Sequence, residues 1–359
     1  VKRGLILPAV KQGKTLSWFL FVILFVFSLL TYYAAIANAG PIINFDYSYD
    51  TNGFFTPDRR ALLQEAADSI TSRLSSTTWA PVDTSLSGGS YQLAFINPST
   101  LNVSWVSDVV IPTNQITVYV GATDFRTLPY PQMTDSSGDG ATQLMSIRDV
   151  TGGISSVLAN PLQFRPVNAS ISFDLGGIQG FGSDGGAVTR QWYFGLTDNR
   201  NPSDPHYSHY TDFYSAAVHE LGHVLGIHNP AVFQSIMGLD YDPNFDLAWM
   251  RQVKPDGSGG YVFTGSNAAE HYFGDIGQNI PLDTTECHWA DGVRSDTADG
   301  WTSVTEEAGG PFRVGFSELE FGALEDIGYT VSSVPEPTTL LLLGSSLIGV
   351  AGIRRRLRK

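Results

Sequence analysis

Val218-His219-Glu220-Leu221-Gly222-His223-Val224-Leu225-Gly226-Ile227-His228-Asn229 sets two histidines four residues apart, with a glutamate directly after the first. On a helix, residues four apart lie on one face about a turn from each other, so His219 and His223 can grip one metal ion together. Glu220 then sits beside the metal rather than on it, where a carboxylate suits a general base acting on water. The pattern H-E-x-x-H carries this chemistry only on a helix. Here Ala216, Ala217, Leu221, Val224 and Leu225 supply apolar faces, and no proline interrupts residues 211–227. Gly226 stands where a helix can end on a left-handed glycine, turning the chain back toward the metal.

Further on comes Ser235-Ile236-Met237-Gly238. With these residues the chain resembles the metzincin metalloproteases, above all the matrixin branch. That family carries H-E-x-x-H-x-x-G-x-x-H followed by a methionine-containing turn beneath the metal. The strong part of the resemblance covers about twenty residues. It implies a zinc-dependent endopeptidase with Glu220 as catalytic base, His219 and His223 as ligands, and Met237 as a floor under the metal. The implied fold is α+β: a twisted mixed β-sheet, an active-site helix carrying the histidines, and an irregular C-terminal subdomain ending in a helix. An edge strand above the zinc would pair with an extended protein or peptide substrate, a role for which residues 189–195 are the nominee.

The spacing departs from the family at one point. The third histidine belongs at the position of Asn229, whereas this chain has His228. A one-residue deletion in the turn accounts for the shift. His228 is the preferred third ligand because neutral imidazole binds zinc far better than a carboxamide does. Asn229, Asp240 and the distant His288 are the alternatives. The departure also motivates a rival reading: a non-catalytic surface or extracellular-matrix protein built on a degenerate protease fold.

Both ends read as processing signals. Lys2, Arg3, Lys11 and Lys14 precede an apolar run over residues 16–36, and Ala37-Asn38-Ala39 offers a cleavage site. Residues 1–39 therefore read as a secretory signal peptide. At the other end Pro335-Glu336-Pro337, an apolar stretch over 338–353, and Arg354-Arg355-Arg356-Leu357-Arg358-Lys359 follow in order. This resembles the PEP-CTERM sorting signal of Gram-negative bacteria and occupies residues 334–359. It implies an exosortase as partner, transient membrane anchoring, and delivery to the cell surface or beyond it. Contact with the membrane is expected through these ends alone, before processing.

The net charge is −14. Nine of the 21 basic residues but one of the 35 acidic ones lie in the two ends, so the body carries −22. That charge argues against nucleic acid and anionic membrane as partners of the body. The single cysteine, Cys287, cannot form an internal disulfide and reads as a small packed thiol. Glycine- and aspartate-rich loops at 135–140 and 182–186 have the oxygens a Ca2+ ion needs, although neither fits a complete calcium loop and solvated turns are the first reading.

Residues 40–333 are thus the metalloprotease-like domain, with an upper subdomain over 40–228 and a lower one over 229–333. Thr56-Pro57-Asp58 opens a helix with Leu62, Ala66, Ile70 and Leu74 at i+4 spacing. Residues 91–96, 116–120, 171–175 and 190–194 read as strands. Ser317-Glu318-Leu319-Glu320 matches a capping box and starts a closing helix that ends at Gly328.

Overall fold

The computed structural model describes residues 40–75, 79–83, 92–124, 140–148, 154–155, 166–175, 179–181, 187–189, 191–195, 210–227, 248–273, 278–283, 286, 288–290, 293, 313 and 315–332. Its centre is a five-stranded mixed sheet. The strands are β1 (Ile42–Asp46), β2 (Gln115–Thr123), β3 (Gly140–Arg148), β4 (Ile154–Ser155) and β5 (Pro166–Asp174), in spatial order β1-β2-β5-β3-β4. β1 and β5 flank β2 in parallel, with Phe45 opposite Val118 and Ile171 opposite Val120. β3 runs antiparallel to β5, with a register shift beside Asn168.

Two helices cover one face: α1 (Pro57–Thr71) and α2 (Phe213–Val224). α1 begins as its sequence dictates, with Thr56 capping the Arg59 amide and Pro57 in the first turn. Its Leu62, Leu63, Ala66 and Ile70 are fully buried. They meet Val118 and Val120 of β2, Ile171 and Phe173 of β5, and Ala217 and Leu221 of α2 in one hydrophobic core. Each such aliphatic side chain contributes about 1.5–3 kcal/mol relative to exposure. The far face of the sheet is covered by a hairpin, Gln92–Ile96 with Val103–Ser107. There Phe95 stacks on Tyr119 at 4.1 Å, and the Ser172 hydroxyl donates to the Pro98 carbonyl.

The chain after α2 adds α3 (Ala248–Gln252), an antiparallel sheet of β8 (Val253–Pro255), β9 (Tyr261–Phe263) and β10 (Ile280–Leu282), then α4 (Ser266–Phe273) and α5 (Glu318–Asp326). Two short strands precede them, β6 (Gln191–Tyr193) and β7 (Tyr210–Asp212), paired in parallel. The hydrophobic core runs on without a break from α1 to α5. α4 and α5 approach closely at Gly322, where a Cβ would stand 2.8 Å from backbone atoms of Asn267 and Ala268. Asp326 accepts from the Asn267 and Ala268 amides, supplying α4 with the N-terminal acceptor its own sequence lacks.

The capping box at the start of α5 is formed, with the Ser317 amide donating to Glu320 Oε2 at 2.7 Å. The other carboxyl oxygen, Oε1, accepts from the Trp289 indole N–H at 3.1 Å. Burial pushes the Glu320 carboxyl up, while its bonds with Ser317 and Trp289 pull the other way. The folded chain therefore binds this proton more tightly than the unfolded chain does. Its contribution favours folding fully below the ordinary value of 4.5 and declines as pH rises above it. Glutamine has one acceptor oxygen where two N–H donors sit on separate oxygens. Glu320→Gln is expected to destabilise by about 1–3 kcal/mol. The gap from the parent should be widest at acidic pH, as read from urea unfolding midpoints at acidic and neutral pH.

Candidate metal centre

α2 is buried along its whole length. Its start is fixed twice. Asp212 caps it, accepting from the Ser215 amide at 3.0 Å and the Ser215 hydroxyl at 2.8 Å. Arg313 closes on the same carboxylate, Nε to Oδ2 at 3.2 Å and Nη2 to Oδ1 at 3.1 Å, and also donates to the Gly195 carbonyl. The first helical residue, Phe213, lies among Phe54, Phe55, Phe173, Trp192 and Phe194, its ring 4.8 Å from that of Phe173. Aromatic packing thus sets the rotation of the helix.

Its end follows from one glycine. Gly226 has φ +112°, a conformation that costs other residues about 1–2 kcal/mol. The Gly226 amide donates to the His223 carbonyl and the Ile227 amide to the Gly222 carbonyl, the bond pair of a Schellman turn. That turn brings the Ile227 carbonyl back over the helix, 2.5 Å from His223 Nδ1. With Nδ1–H donating there, the lone pair of His223 is on Nε2.

His223 Nε2 lies 3.2 Å from His219 Nε2 and 3.3 Å from His288 Nε2. One nitrogen from each of the three rings lies within 4.8 Å of the other two. The His219 and His288 rings lie nearly parallel at 5.1 Å, with that of His223 edge-on to His219. Two ligand nitrogens of a tetrahedral zinc site, each about 2.0–2.1 Å from the ion, stand about 3.3 Å apart. The His219–His223 and His223–His288 separations meet that value. With its proton on Nδ1, His223 offers the Nε2 lone pair to a cation placed between the rings. The donor set therefore fits Zn2+. Glu220, on the same turn as His219, is 2 % exposed.

His228, the third ligand preferred from sequence, lies outside the described residues, as do Asn229, Asp240, Met237 and Cys287. So do most of both glycine- and aspartate-rich loops proposed for calcium. The imidazole that joins the helical pair among the described residues is His288, buried at 3 % exposure. Its sequence signal is weak: an isolated histidine before a tryptophan, 65 residues from His223. Residues 191–193 pair with β7 beside the helix start, and Trp192 and Phe194 lean on the core. The antiparallel strand lying against α2 is β3.

Comparison with known proteins bears on the tail. Residues 333–356 match the PEP-CTERM protein-sorting motif. The motif marks a protein exported in Gram-negative bacteria, anchored by its C-terminal segment and recognised by exosortase sorting machinery. No curated protein and no solved structure is matched by the chain. Among the described residues, no helix is long and apolar enough to cross a membrane.

Proposed function

We propose that the protein is an exported zinc-dependent endopeptidase with a metzincin-like fold. The observation that carries this reading is the convergence of three buried imidazoles, the first of them followed on the helix by a buried glutamate. His219 and His223, with a third imidazole, hold the ion. When bound, zinc supplies Lewis acidity, polarising a scissile carbonyl and lowering the pKa of water at the site from about 15.7 to near 7. Glu220 takes the proton of the attacking water on its carboxylate and delivers it to the leaving amine nitrogen. The Ile227 carbonyl holds the His223 ring in the tautomer that turns Nε2 inward. The sorting segment over residues 334–359 is removed on sorting, and the body is released to the cell surface or the extracellular polymer.

Purified protein is expected to contain about one zinc per chain and to cleave an unstructured polypeptide such as casein. Chelator should stop cleavage and added zinc restore it. A folded protein that takes up no zinc and leaves the substrate intact would instead favour the non-catalytic surface protein, a reading supported by the sorting tail and the departure from family spacing.

A further inference from the structure

We propose that His288 is the third metal ligand and that Asp283 is its positioning residue. The proposal rests on the zinc reading above and deepens it. His288 follows β10 and pairs back onto its end. The Asp283 amide donates to the His288 carbonyl at 3.0 Å, and the Ala290 amide donates to the Pro281 carbonyl at 3.0 Å. Leu282 bridges to Trp289 in the same pairing. Glu286 is held as well, since the Trp249 indole N–H donates to its carbonyl at 2.8 Å. Within this frame the Asp283 carboxylate faces the ring it must orient, with Oδ2 3.3 Å from His288 Nδ1.

A proton on Nδ1, held by that carboxylate, leaves the Nε2 lone pair directed at His219 and His223. A carboxylate behind a ligating imidazole fixes its rotation and raises its basicity, and losing such a partner costs about 10- to 100-fold in metal affinity. Trp289, the next residue, is packed into the core. Its ring lies 5.6 Å from Trp249 and 5.5 Å from Phe263, and its N–H is bound by Glu320. The ligand is therefore carried by the packed C-terminal core.

The test measures the zinc affinity of the full chain by competition with a chromophoric chelator, alongside thermal unfolding of the metal-free protein. The variants are His228→Ala, His288→Ala, Asp283→Ala and Asp283→Asn. His228→Ala should bind zinc as the parent does, and His288→Ala should lose the most affinity. Asp283→Ala should lose about 10- to 100-fold. Asp283→Asn, which keeps an acceptor without the charge, should lose less. The Co2+ form should change its visible spectrum in His288→Ala and keep it in His228→Ala. Zinc binding lost in His228→Ala and kept in His288→Ala overturns the ligand assignment. Parent-like affinity in Asp283→Ala overturns the positioning role. So does an affinity loss matched by an equal loss of metal-free stability, because the carboxylate then supports the loop and not the ring. A parent chain that binds no zinc sinks the zinc reading itself, an outcome distinct from the others.

Discussion

Glu220→Gln is expected to lower peptide hydrolysis by about 100- to 10,000-fold, the range that general-base catalysis contributes. The zinc content should stay at the parent level. An amide matches the carboxylate in shape but cannot accept a proton from water, and Glu220 is not among the three imidazole donors. Metal retention separates this result from misfolding, which would cost zinc and activity together. Glu220 is almost wholly buried, and a neutral amide there is no harder to bury than a carboxylate. Cleavage assays paired with metal analysis on the same preparation read both quantities. Undiminished turnover in the variant would remove Glu220 from the reaction and with it the proposed mechanism.

Asp212→Ala should have the largest effect on stability, a loss of about 3 kcal/mol by urea unfolding. The Asp212 carboxylate is completely buried, caps α2 and pairs through both oxygens with Arg313, whose side chain is 15 % exposed. Truncation leaves a guanidinium largely desolvated, and breaking such a pair costs about 3–5 kcal/mol. The residual exposure of Arg313 places the expectation at the lower end. Asp212→Asn keeps the helix cap and should cost less. Because the cap opens the helix that carries both histidines, zinc affinity should fall with stability in the alanine variant. A change below about 1 kcal/mol would show that this pair contributes no more than an exposed one.

Helices α1 and α5 were legible, and the reason is local, whereas α3 and α4 fall in the stretch read as irregular. Thr56 and Pro57 start α1, its i+4 leucines and alanines bury one face, and Ser317 with Glu320 starts α5. Each signal acts within four or five residues, which is the range of a helix hydrogen bond or cap. The strand over residues 91–96 was legible too, as were those at 116–120 and 171–175, since β-rich runs between turn residues need no partner to be recognised. Their order was not. That β5 lies between β2 and β3, parallel to one and antiparallel to the other, depends on pairing between segments far apart in sequence.

The metal centre divides along the same line. Four-residue spacing on a helix puts His219 and His223 side by side, and Gly226 ends that helix, so the sequence by itself determined two candidate donors, the glutamate between them and the turn that follows. It also determined the sorting tail, a linear signal read by other machinery. Only the tertiary structure decided which imidazole among the described residues faces the pair. His288 reaches it because Trp289 is buried against Trp249 and Phe263 and bound by Glu320. Local spacing can bring together groups on one helix. A donor held by a separate core arrives only when that core packs.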